Sequence, residues 1–197
     1  MDRIKTQGEI DYQSVKAYTV FEYSTEVKHE YEKGKILTMT GETINHGILC
    51  GNVYNELRRG IEKDSSSCRV IGSEVRIHIE KAESIGYPDA MVIFGDIETS
   101  AEDKDAVTNP ILVVEVLSKS TESYDRGDKL YKYRQLPSLK EYILIDQEKA
   151  VVETFYKREE TIWEISRVDD IEQVVEIKSL GLKINMTELY LGIGFSG

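Results

Sequence analysis

Cysteine is scarce in this chain. Cys50 and Cys68 are the two it has, with neither Cys-x-x-Cys spacing nor a nearby pair of histidines. That removes a disulfide framework and any visible His/Cys zinc set, and both read as reduced, buried or half-buried thiols. Positive charge is also short: 25 Lys and Arg stand against 36 Asp and Glu, a net charge of −11. Such a balance argues against tight nonspecific binding to nucleic acid, which rests on basic contacts to phosphate. No apolar run is long enough to span a bilayer, and Met1 to Gln7 lacks the apolar stretch of a signal peptide. A cytoplasmic protein with no membrane partner is therefore expected. Proline is limited to three residues, and no repeat or low-complexity linker divides the chain. What remains is an ordinary globular composition, 40% hydrophobic and 31% charged over 197 residues, which implies one domain spanning 1–197 with an ample core.

The acidic excess is uneven. Asp146 to Glu176 holds ten acidic and four basic residues, whereas Lys119 to Arg134 holds five basic and three acidic. The second segment offers either a local basic face or simply a solvated helix.

Periodicity gives a mixed α/β order. Ser14 to Glu22 reads as a short helix, and His29 to Met39 as a hairpin turning at Lys33-Gly34. Thr43 or Asn45 can cap a helix over Ile44 to Lys63, whose Leu49, Val53, Leu57 and Ile61 recur every four residues. Gly47 and Gly51 on that helix suggest close backbone packing. Arg69 to Glu80 alternates, with Val75, Ile77 and Ile79 on one face and Arg76, His78 and Glu80 on the other. Strands follow at Asp89 to Phe94 and Ile111 to Leu117, with polar Gly95 to Asn109 between them as an exposed loop. A helix then runs to about Gln135, before Pro137, and Glu141 to Asp146 is another apolar strand. Strand, helix and strand over 111–146 suggest a βαβ-like unit in a mixed sheet, which Ala150 to Tyr156, Thr161 to Arg167 and Ile171 to Ile177 extend as antiparallel hairpins.

Two acids interrupt this apolar pattern. Asp89 precedes Met91-Val-Ile-Phe94 with Ala90 between, and Glu115 is the polar residue of Ile111 to Leu117. A carboxylate within a buried strand is costly unless neutralised. The bland explanation is a solvated strand end or a pairing with Arg or Lys; the sharper one is a divalent cation shared between neighbouring strands. The next helix carries Lys129 and Tyr133 on one face, with Asp125 a turn earlier, so a lysine can fold back to the strand's carboxyl end. A surface pair between Lys129 and Asp125 is the plainer alternative.

Several motifs occur together: Glu30-Tyr-x-x-Gly34, Asn45-His46 with Gly51-Asn52, Tyr87-Pro-Asp89, and Asn109-Pro-x-x-x-x-Glu-Val-Leu-Ser-x-Ser-Thr121. Tyr124-Asp-Arg-Gly-x-Lys129-x-x-x-Tyr133 and Pro137-Ser-Leu-x-Glu-Tyr142 follow in order. Over about Tyr12 to Tyr156 the chain resembles the Uma-two-type restriction endonucleases of the PD-(D/E)XK nuclease superfamily. The resemblance implies a restriction-endonuclease-like core, a central mixed sheet flanked by helices with antiparallel hairpins added. It also implies a magnesium-dependent phosphodiesterase site. Asp89 corresponds to the acid of the Pro-Asp element and Glu115 to the second metal-binding acid. The motif's lysine ordinarily stands two places after that acid, where this chain has Leu117; the resemblance points instead to Lys129 on the following helix, with Lys119 as competitor. Glu30 and His46 match further polar positions, as water-mediated metal contact and as phosphate contact or acid-orienting group, against plain roles in hairpin pairing and helix capping. Glu74 is a weaker candidate.

The expected chemistry is hydrolysis of phosphodiester bonds in nucleic acid, DNA foremost. Magnesium, replaceable by manganese, would be held by Asp89, Glu115 and the Val116 carbonyl, with Lys129 stabilising charge. A homodimer is a compatible assembly. The competing reading is a catalytically inactive binding or assembly module of the same fold; a third is a hydrolase for a small phosphorylated molecule. Ser118 lacks the Gly-x-Ser-x-Gly elbow of a nucleophile.

Overall fold

Every residue of the strand Pro110–Leu117 is buried, which requires cover on both of its faces. The computed structural model supplies that cover; it describes residues 14–39, 41, 43–63, 67–119 and 122–195. In chain order the first elements are α1 (Val15–Glu22), β1 (His29–Glu32), β2 (Lys35–Thr38), α2 (Ile44–Lys63), β3 (Cys68–Gly72), β4 (Arg76–Ile79), β5 (Ser84–Gly86) and β6 (Ala90–Phe94). Then come β7 (Ala106–Val107), β8 (Pro110–Leu117), α3 (Glu122–Tyr124), a π-helical turn (Asp125–Lys129) and α4 (Leu130–Tyr133). The chain continues through β9 (Glu141–Asp146), β10 (Val152–Lys157), β11 (Trp163–Val168), β12 (Val174–Ile177), β13 (Leu182–Asn185) and α5 (Met186–Leu189).

β8 sits inside a six-stranded sheet of order β11-β10-β9-β8-β6-β3. β8 and β9 are parallel and the other pairs antiparallel, so the βαβ-like unit expected over 111–146 is present. Alternate residues feed two cores. Val92, Leu112, Val114 and Val116 face α2, where Leu49, Val53, Leu57 and Ile61 form the buried stripe. Met91, Val113 and Leu117 face the other way, onto Leu130, Tyr133 and Leu136 and onto Ile77 and Ile79 of a second sheet. That sheet has five strands in the order β2-β1-β5-β4-β7. Its first hairpin turns at Lys33-Gly34, both with positive φ (46° and 86°), as a two-residue connection demands. Among the described residues no helix is long and apolar enough to cross a membrane.

Four expectations need correction. Arg69 to Glu80 is two strands in different sheets, because the chain turns over 73–75 after Gly72. Arg76 and His78, on the face opposite Ile77 and Ile79, are buried as well, for β4 is covered on both sides. Gly95 to Asn109 is not simply an exposed loop: Ala106–Val107 pairs in parallel with β4, and Ser100 and Asp103 are buried against His78 and Arg76. The carboxyl-terminal strand Val174–Ile177 does not extend the large sheet. It pairs with β13 in a separate ribbon whose Val175, Ile177 and Ile184 cover the α2 core. Buried Glu141 ties the ribbon down by accepting from the Lys178 and Ser179 N–H groups at 3.3 and 2.8 Å. Close backbone packing on α2 falls at Gly60, where an added Cβ would lie 2.6 Å from a Leu182 methyl, while Gly47 and Gly51 face open space.

Candidate active site

The segment Tyr87-Pro88-Asp89 is where the chain leaves the five-stranded sheet at β5 and enters the six-stranded sheet at β6. It is held by a buried polar chain. The Tyr87 hydroxyl donates to Glu22 at 2.7 Å and accepts from Arg76 at 3.1 Å, and Arg76 grips Asp103 through two guanidinium nitrogens. Glu22 also accepts from the His29 backbone N–H, which fixes α1 to the start of β1.

Asp89 comes one residue before the Ala90↔Val114 pair, so it stands opposite Glu115 at the end of the β6–β8 ladder. Its Oδ2 accepts from the Val116 N–H at 2.7 Å and lies 3.3 Å from His46 Nε2. Burial pushes the Asp89 carboxyl up, but His46, the Lys129 charge and the Val116 N–H outweigh it and hold the pKa below its ordinary value. In a strand a residue's N–H and C=O leave from the same edge, so the Val116 carbonyl faces the Asp89 side. His46 is set by α2, whose cap is Thr43: its Oγ1 accepts from the His46 N–H at 3.1 Å and also bonds the Gln147 side chain.

One residue before Val116 on β8, Glu115 meets the helix that follows. Lys129 Nζ lies 2.7 Å from Glu115 Oε1, 3.5 Å from Glu30 Oε1 and 3.8 Å from Asp125 Oδ1. The Tyr133 hydroxyl donates to Glu115 Oε1 at 3.0 Å. Burial, then the charges of Glu115 and Glu30, raise the Tyr133 pKa and keep it a neutral donor. Lys129 and Asp125 are 3% and 0% exposed, so the plain surface pair is excluded; both sit on the π-helical turn, an irregularity that often accompanies functional sites. Glu30 reaches the cluster from β1 across Gly86, where a Cβ would come within 3.2 Å of Glu30 Oε1. Tyr124, Lys132, Ser84 and Gly86 close a narrow cavity over Lys129 and Glu30.

All five candidate side chains thus gather at one end of the sheet, as Glu30–Lys129–Glu115 and His46–Asp89–Val116, joined by the Glu115-Val116 step. Lys119 is exposed and 3.8 Å from Glu148; Glu74 is exposed and pairs with Lys28. Neither belongs to the cluster. Sequence reading saw no His/Cys set, yet Cys50 Sγ lies 3.4 Å from His46 Nδ1. The signal was their spacing of four on one helix.

A family model named Uma2 and described as "Putative restriction endonuclease" matches residues 15–187. The chain belongs to the Uma2 family. Two relatives from Synechocystis sp. are similar along most of their length. "Uncharacterized protein slr1290" is 30% identical over 182 residues, 92% of this chain and 93% of the relative. "Uncharacterized protein sll1609" is 37% identical over 142 residues, 72% of this chain and 78% of the relative. The fold of this Uma2 protein matches a crystal structure from Anabaena variabilis described as "a putative nuclease belonging to DUF820". The TM-score is 0.68, over 87% of this chain and 97% of that chain, at 17% identity. The family and the mixed α/β fold are therefore as the sequence motifs implied.

Proposed function

We propose that this Uma2 protein is a magnesium-dependent nuclease hydrolysing phosphodiester bonds, with DNA as its substrate. The observation that carries the proposal is the position of Lys129: its ammonium reaches Glu115 from the following helix at 2.7 Å, although the chain has Leu117 where the motif places its lysine.

The residues fit a hard divalent cation. Asp89, Glu115 and the Val116 carbonyl offer oxygen ligands, few enough for an ion that keeps several waters. Three carboxylates surround the single Lys129 ammonium, and Glu30 Oε1 is a buried acceptor without a hydrogen bond among the described residues. When bound, magnesium supplies a Lewis acid for the phosphate and acidifies water. The chain's own groups do the rest. Tyr133 holds Glu115 in place, and the Val116 N–H and His46 hold Asp89 ionised. Lys129, beside three carboxylates, stands ready to orient the attacking water or offset charge growing on the phosphate oxygens. His46 acts here as the group that orients Asp89.

A second reading is a catalytically inactive binding or assembly module. It is favoured by how closed the charged cluster is, with Glu115 1% and Lys129 3% exposed. Incubation with single- and double-stranded DNA and RNA, under magnesium or manganese and beside Glu115→Ala, separates the two. The nuclease reading expects products with either ion and a loss of about 100-fold or more in the variant. Intact substrates under every condition would leave the binding module.

A further inference from the structure

We propose that His46, Cys50 and Asp89 form a second, softer cation site that takes a zinc-class ion and competes with magnesium for Asp89. The competition rests on the nuclease reading given above; the binding does not.

One ligand atom from each residue lies within 4.8 Å of the other two. His46 Nε2 and Asp89 Oδ2 are 3.3 Å apart. Two ligands of one tetrahedral ion, with bonds of about 2.0 to 2.1 Å, are spaced by roughly that distance. The sulfur lies 3.4 Å from the ring's other nitrogen, Nδ1, so side-chain rotation of His46 or Cys50 has to bring sulfur and carboxylate to one nitrogen. Residues 46 and 50 are four apart on α2, hence on one face one turn apart, the spacing by which a helix chelates zinc with two side chains.

The donor set decides the ion. A thiolate, an imidazole and a carboxylate suit zinc, whereas magnesium disfavours sulfur and prefers oxygen and water. Three protein ligands leave a fourth position for solvent. Support behind the ligands is present. The Val116 N–H orients the Asp89 carboxylate at 2.7 Å, and the Thr43 hydroxyl fixes the first turn of α2 through the His46 N–H. Binding forms the metal–sulfur bond and sends the thiol proton to solvent. Since Asp89 belongs to both sites, an ion held by His46 and Cys50 withdraws a ligand from the magnesium site.

Cobalt(II) added to the metal-free protein is the probe, because a thiolate ligand gives a charge-transfer absorption that oxygen and nitrogen ligands do not. The wild type and Cys68→Ser are expected to show that band, and one equivalent of zinc to abolish it. Cys50→Ser should lack it while keeping a wild-type circular dichroism spectrum, and Asp89→Asn should weaken cobalt affinity at least about tenfold. A band retained in Cys50→Ser, or none in the wild type, overturns the site. Wild-type affinity in Asp89→Asn overturns the competition. A Cys50-dependent band in a protein that cleaves nothing leaves this site standing and removes the nuclease reading; magnesium-dependent cleavage without the band does the reverse.

Discussion

At the scale of single residues, Lys129 carries the greatest weight. The family resemblance points to it over Lys119, and the structure brings Lys129 and Tyr133, which share one helix face, to Glu115. What spacing could not convey was burial, since Asp125 and Glu30 converge on the same ammonium from a π-helical turn and from a different sheet. Lys129→Met leaves three carboxylates without their counter-charge in a dry setting. It is expected to destabilise the metal-free protein by about 3–5 kcal/mol, read from urea unfolding, with magnesium restoring part of the loss. A change under about 1 kcal/mol would mean that the carboxylates are already neutral or hydrated. Cys50 was passed over for a different reason. A His and a Cys four apart on a helix gain significance only when a third ligand, Asp89, arrives from a strand distant in sequence.

At the scale of elements, local pattern located strands and helices but not their partners. The α2 stripe is a strong signal because its buried residues recur every four, and β8 because its apolar run is unbroken but for Glu115. The partner of Arg76 is Asp103, 27 residues away in a polar stretch, and nothing in that stretch marks it as buried. The crossing between sheets depends on this network. Tyr87→Phe removes the hydroxyl shared by Glu22 and Arg76 and is expected to cost about 1–3 kcal/mol, while loosening Asp89 two residues on. An unchanged melting temperature would show that the crossing is held by packing alone. His78 on β4 gives a pH test. Burial lowers its pKa from an ordinary 6.5, against the opposing pull of Glu80, Glu102 and Asp103. The unfolded chain therefore binds the proton first, so stability is full above about pH 6.5 and declines as pH falls toward the lower folded value. His78→Gln should flatten that decline in melting temperature against pH; a slope identical to wild type would contradict the assignment.

At the scale of the whole molecule, an acidic chain concentrates its buried charge where two sheets and two helices meet. Net charge of −11 works against nonspecific attachment to nucleic acid, so the account depends on a cation offsetting charge at the Asp89–Glu115 end of the sheet. Diffraction from crystals soaked in manganese, collected to show anomalous scattering, locates that ion directly. The account predicts a peak at about 2.2 Å from oxygens of Asp89 and Glu115 and from the Val116 carbonyl oxygen, absent in Glu115→Ala. Full manganese occupancy elsewhere, or a peak that persists unchanged in Glu115→Ala, would contradict it.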